Sequence, residues 1–201
     1  MTKRQSATTQ GFLRFDQTHG GWRPGAGRKK RRLRKGERRV ASHQKRDDFT
    51  RSDTLHVTLR LSKGLPSTRT TSSLEVIRRC FKSANNHLGM RIHHYCVMSN
   101  HIHLVVKATN KDSLATAMRG LNVRIVRSLN KLWNRKGKLL AERYHVAIVR
   151  AQARYRKALT NLINYVLNNA THHGLHIKGP DPYSSRVDPF FLHTNPPSKV
   201  T

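Results

Sequence analysis

Acidic residues are scarce in this chain. Ten aspartates and glutamates stand against forty lysines and arginines in 201 residues, a formal net charge of +30. Self-repulsion on that scale opposes compaction and no fold requires it, so the imbalance points to a polyanionic partner. Nucleic acid comes first, because neutralised phosphates release condensed counterions; a membrane surface is the weaker alternative. Long apolar runs are missing as well. Nothing in the chain could span a bilayer and no basic amphipathic anchor stands out, so no membrane partner is expected. The opening MTKRQSATTQGF carries charge but no apolar core of a secretory signal. Only two cysteines occur, Cys80 and Cys96, without a CxxC pattern. They read as small apolar core residues in a reducing compartment, with no disulfide. Aromatics amount to 6%, too few for a long base-stacking platform.

What is present falls into three stretches. Residues 1–53 read as a basic arm: Gly20, Gly21, Pro24, Gly25 and Gly27 break any periodicity, and Arg28, Lys29, Lys30, Arg31, Arg32, Arg34 and Lys35 crowd around a lone Leu33. Like charges this dense repel, so the arm is expected to be disordered when free. Residues 54–178 carry the periodic patterns of a folded domain. Residues 179–201 read as a loop-like tail with Pro180, Pro182, Pro189, Pro196 and Pro197, in which Phe190, Phe191 and Leu192 could dock on the domain. No internal repeat occurs.

Within the domain, Leu55, Val57, Leu59 and Leu61 alternate and predict a strand. Leu74, Ile77, Phe81, Ala84 and Leu88 recur at helical spacing, with Gly89 as the stop. Residues 92–98 and 102–107 predict two strands separated by Ser99 and Asn100, a tight hairpin in which Asn can take a left-handed backbone. A helix over 111–133 follows, with Leu114, Met118, Leu121, Ile125 and Leu129 on one face, then a strand over 144–149 and a last helix over 151–169. The order β-α-β-β-α-β plus a C-terminal helix predicts an α+β, ferredoxin-like split βαβ fold with a four-stranded antiparallel sheet. That fold serves many functions, so function has to be argued from a site.

Two constellations could carry chemistry. His101 and His103 flank Ile102 on a strand, so both imidazoles share one face and can converge on a metal ion. In a chain with 13 histidines such a pair is also readily a surface or core pair. On the last helix, Leu159, Leu162, Ile163, Val166 and Leu167 form an apolar stripe. Tyr165 and Asn169, four residues apart, stack beside it. A tyrosine there can aim its hydroxyl into a cleft at the helix–sheet boundary, or simply rim an amphipathic helix. Tyr155 lies within the stripe and reads as core packing.

The run Val97-Met98-Ser99-Asn100-His101-Ile102-His103-Leu104-Val105-Val106 resembles the HUH motif of single-tyrosine transposases, two histidines around a hydrophobic residue. Ile163-Asn164-Tyr165-Val166-Leu167-Asn168-Asn169 resembles the helix carrying that family's nucleophilic tyrosine. The branch most similar is the REP-associated tyrosine transposases, which often open with a segment like His19-Gly20-Gly21-Trp22-Arg23-Pro24-Gly25-Ala26-Gly27-Arg28-Lys29. Part of that segment also resembles an AT-hook, which lies in a narrow minor groove. Departures are few: Ala170 follows Asn169 where relatives often have proline, no role can be assigned around Glu142-Arg143-Tyr144-His145, and Asn168 stands where replication initiators often have lysine.

The resemblance implies a mechanism. Tyr165 would be the nucleophile and His101, His103 and Asn169 the ligands of a divalent ion, Mg²⁺ or Mn²⁺. The ion and nearby basic side chains would polarise the phosphate and favour the phenolate. The product would be a 5′-phosphotyrosine and a free 3′-hydroxyl. The implied partner is hairpin-flanked single-stranded DNA, with Arg23, Arg28, Lys29, Lys30, Arg31 and Arg32 tracking phosphates, in a bacterial cytoplasm near the nucleoid. Relatives act as monomers or as homodimers. Three rivals stay open: a non-catalytic basic DNA- or RNA-binding protein or transposase relic, a metal-dependent nuclease that uses water, and a ribosome-associated or structural RNA binder, which would need neither His101 nor His103.

Overall fold

The computed structural model describes residues 47–194; the Arg23, Arg28, Lys29, Lys30, Arg31 and Arg32 cluster, with the rest of 1–46, and residues 195–201 lie outside the described residues. Four strands form one antiparallel sheet: β1 (Thr54–Arg60), β2 (Met90–Val97), β3 (His101–Ala108) and β4 (His145–Val149), in the order β2-β3-β1-β4. β1 pairs with β3 on one side and β4 on the other. The expected split βαβ topology is therefore the one found: β3 lies between β1 and β2, the two strands that the first helix connects.

Strand alternation sorts side chains to two faces. Leu55, Val57 and Leu59 from β1 and Ile102, Leu104 and Val106 from β3 face α1 (Thr71–Ala84) and α2 (Lys111–Leu132), forming the main core. The stripe read on α2 is the buried one: Leu114, Met118, Leu121, Ile125 and Leu129 are all at most 1% exposed. Each such side chain contributes roughly 2 kcal/mol of transfer free energy. Both helices begin with a capping side chain, Thr70 accepting from Ser73 N–H and Asn110 from Ser113 N–H. On the opposite face a smaller cluster, Cys96, Met98, Val105, Val166 and Ala170, joins the sheet to α3 (Tyr155–Leu167) and α4 (Asn169–His172).

Three local readings change. The apolar spacing carries the first helix to Leu88, but α1 ends at Ala84 and Leu88 is 47% exposed. Asn85 caps the end and its side chain accepts the backbone N–H of Ile92 at 2.8 Å, so the chain is tied to β2 before another turn can form. Asn86 and Leu88 take left-handed backbones with φ of 56° and 54°. Gly89 continues this turn at φ +72°, where a Cβ would lie 2.8 Å from Thr109 Oγ1. The β2–β3 turn closes through Met98 N–H to His101 O at 2.9 Å without a left-handed Asn100. The last helix starts later than read, at Tyr155 after a left-handed Arg154, and it breaks at Asn168.

Beyond Gly179 the chain packs on the outer edge of β2. Val97 N–H bonds Tyr183 O at 2.8 Å, and Asp181 meets Arg69 through both carboxylate oxygens at 2.9 and 3.0 Å. Asp188 accepts from Tyr95 Oη at 2.8 Å and pairs with Arg78 at 3.2 Å. Phe191 of α5 (Pro189–Thr194) is buried edge-on against Tyr95, while Leu192 is exposed. An otherwise open strand edge is thereby covered.

Candidate active site

The β2–β3 turn is clamped from outside. Leu61 N–H donates to Asn100 O at 2.8 Å, Thr68 N–H to Ser99 O at 3.0 Å, and the Thr68 hydroxyl to Met98 O. This fixes the start of β3, from which His101 and His103 project on the face turned away from the main core. In register, Arg60 of β1 lies opposite His101 and Thr58 opposite His103. The two imidazoles stand at right angles, centroids 4.8 Å apart.

Each ring is held at Nδ1. His101 Nδ1 lies 2.7 Å from Asn100 Oδ1; a carboxamide oxygen only accepts, so Nδ1 carries the hydrogen and Nε2 the lone pair. His103 Nδ1 lies 2.8 Å from His56 Nε2 and 3.3 Å from Thr58 Oγ1, while its Nε2 is buried without a partner. His103 is 5% exposed.

The C-terminal helices bring the other two residues. α3 is docked at its start by Tyr155, whose hydroxyl bonds Thr54 Oγ1 of β1 at 2.7 Å, and near its end by the buried Val166. Tyr165 sits beside Val166, 42% exposed, its ring edge-on to both His56 and His103 at 5.9 Å. Asn169 is not on the same unbroken helix. α3 stops at Leu167, and Asn169 opens α4 after Asn168 with φ −102° and ψ 15°. Asn169 is fully buried, and neither its Oδ1 nor its Nδ2 has a hydrogen-bond partner. Two further histidines at helical spacing from Tyr165 reach the site: His173 lies 5.1 Å from His101 and His172 stacks on Tyr165 at 5.6 Å. All four residues singled out in the domain, His101, His103, Tyr165 and Asn169, are thus on one face of the sheet.

The electrostatics are one-sided. Burial lowers His101 to about 4 and His103 to about 3, with His173 and Arg60 adding to both. The Asn169 carboxamide opposes the shift at His101. His56 is lowered to about 4 by burial and then by His145, which sits across from Thr58 on β4. Among the described residues the charged neighbours acting on these rings are basic, and the rings themselves are neutral at neutral pH. The site therefore offers lone pairs in a positive field, which also draws a phosphate to the same place.

His56, Thr58, Arg60, His172 and His173 were not singled out from sequence. The first three carried a signal, since they are the polar positions alternating with Leu55, Val57, Leu59 and Leu61 along β1. The last two stand seven and eight residues after Tyr165, the spacing of the same helix face, which was the signal for them.

The donor set fits a divalent ion. Among the described residues no group of three or more His, Cys, Asp or Glu side chains is arranged to hold a metal. Two imidazoles and a carboxamide are what converges, and the buried, unpartnered His103 Nε2 and Asn169 Oδ1 are the atoms such an ion would satisfy.

Residues 56–169 match the model of the family described as "Transposase IS200 like", a span running from His56 to Asn169. A REP-associated tyrosine transposase, solved bound to a REP hairpin, shares 16% identity with a TM-score of 0.53, over 67% of this chain and 75% of that one. A provisionally assigned transposase from Deinococcus radiodurans R1 shares 12% identity with a TM-score of 0.41, over 63% of this chain and 96% of that one. Among curated proteins none gives a significant match. The first of these structures shares the fold, and the family model covers more than half of the sequence with both ends of its match inside the histidine–tyrosine site: the chain belongs to the IS200-like transposase family.

Proposed function

We propose that this transposase cuts and rejoins single-stranded DNA beside hairpins through a covalent bond to Tyr165, with His101, His103 and Asn169 holding a divalent ion, Mg²⁺ or Mn²⁺. The observation that carries the reading is the convergence of an accessible phenol with two neutral imidazoles and an unpartnered carboxamide, in a field that the described basic groups set. Bound there, the ion would supply Lewis-acid polarisation of a phosphate oxygen.

The chain's own groups do the rest. Arg60 and His173, beside the imidazole pair, attract the phosphodiester and orient it towards Tyr165. The Tyr165 oxygen attacks phosphorus and gives up its proton to a base; the bond from phosphorus to the 3′ oxygen breaks, and that oxygen takes a proton. A 5′-phosphotyrosine and a 3′-hydroxyl result. Because one phosphoester replaces another, the step reverses without ATP, which hydrolysis by water would not allow. A chain of net charge +30 holds both DNA ends by their phosphates meanwhile. The REP hairpin in the structural neighbour is the motive for testing hairpin DNA here, and a bacterial cytoplasm is where such a substrate would be met. No helix among the described residues is long and apolar enough to cross a membrane.

The experiment incubates the full chain with single-stranded hairpin DNA and Mn²⁺, then separates products on a denaturing gel. Wild type should give a protein–DNA adduct and Tyr165→Phe none. Cleavage without adduct in Tyr165→Phe would identify a water-using nuclease. Salt-sensitive binding with no cleavage in the wild type would identify a binding protein or relic.

A further inference from the structure

His56 has no part in the HUH motif, yet it touches both halves of the site. It lies on β1 opposite Val105, and its ring reaches diagonally to His103, stacked at 5.0 Å between centroids and 23° between planes. Its Nε2 is 2.8 Å from His103 Nδ1, and its ring edge meets Tyr165.

A neutral imidazole has one N–H and one lone pair, so a bond between two of them admits two arrangements. If His56 donates, His103 must carry its own hydrogen on Nε2. That would bury an N–H with no acceptor, since His103 Nε2 has no partner. If His103 donates from Nδ1, His56 accepts on Nε2 and the His103 Nε2 lone pair faces the pocket. Thr58 Oγ1, 3.3 Å from the same Nδ1, can accept a share of that hydrogen. The second arrangement leaves no orphaned donor at His103 and yields the ligand form.

We infer that His56 is a positioning residue: it accepts the Nδ1 hydrogen of His103, fixes that ring's tautomer and rotamer, and so presents the Nε2 lone pair to a divalent cation shared with His101 and Asn169. Ligating histidines are commonly oriented by a carboxylate or carbonyl on the other nitrogen. Here a neutral imidazole takes that place, with no acid among the described partners of His103 Nδ1. The stack on His103 and the edge contact to Tyr165 make the same ring a spacer between ligand and nucleophile. The inference rests on the reading of His103 as a metal ligand.

Two measurements on the full chain test it. In the metal-free protein, long-range ¹H–¹⁵N correlation, with His103→Ala for assignment, should find His103 protonated on Nδ1; an Nε2–H tautomer would overturn the inference. Calorimetric titration with Mn²⁺ alone should then show a loss of at least ~10-fold in affinity for His56→Phe, which keeps bulk and stacking but cannot accept. His56→Gln, whose side-chain oxygen can accept, should recover most of it, both variants unfolding like wild type in urea. Wild-type affinity in His56→Phe, or no recovery in His56→Gln, refutes the role of His56. Absence of Mn²⁺ binding in wild type sinks the metal reading itself and leaves the tautomer to the spectrum, so the two failures are told apart.

Discussion

The ring of Tyr165 stands edge-on to the ring of His103, centroids 5.9 Å apart at 78°, although one residue is on a helix and the other on a central strand. A group attached at phosphorus to the phenol would therefore lie beside the imidazole pair. That contact is what joins a two-histidine motif and a rim tyrosine in one place.

Asn169 is fully buried with both amide atoms unpartnered, a state that costs the fold about 1–3 kcal/mol. Asn169→Leu, of similar size, should leave the thermal unfolding midpoint unchanged or raise it while abolishing Mn²⁺ binding. A marked fall in midpoint would mean that the carboxamide is structural.

Acid should destabilise the fold earlier than carboxylate titration explains. His56, His94 and His101 are lowered to about 4 and His103 to about 3, each chiefly by burial. In the unfolded chain they titrate near the ordinary value of about 6.5. Between about 3 and 6.5 the unfolded state therefore binds more protons than the folded one, and stability rises with pH across that window. The urea midpoint should fall steadily from pH 7 to pH 4, and His103→Ala should flatten the slope. A midpoint constant down to pH 4.5 would contradict the neutral, buried histidines.

Tyr155 docks the start of α3 through its hydroxyl to Thr54. Tyr155→Phe should cost about 1 kcal/mol of stability. Because α3 buries only Val166 completely, that loss should loosen the tyrosine helix and slow adduct formation by more than the stability change accounts for, as single-turnover rates would show. Equal rates in the two proteins would place the anchoring elsewhere.

The segment beyond Gly179 is held by Asp181 with Arg69, whose side chains are 5% and 13% exposed. Asp181→Ala strands a nearly buried guanidinium, a loss on the order of 3 kcal/mol. Hydrogen exchange should rise at Val97 N–H, which this segment protects. Protection unchanged at Val97 would show the strap to be held by Asp188 and Phe191 alone.

The sequence by itself determined the alternation of β1 and β3, the helical stripe of α2 and the order of elements. These follow from periods of 2 and 3.6 that any buried face imposes locally, and they were enough for the sheet topology. The pairing of His101 with His103 was equally legible, because two residues of one strand two apart must share a side. The tertiary structure alone decided the rest. Asn85 ends α1 by reaching β2, and the docking of the last helices decides that the face carrying Tyr165, Asn169, His172 and His173 meets the histidine pair. His56 meets His103 across two strands. Such contacts have no signature of their own in the sequence, since each depends on a partner far along the chain that only packing brings close.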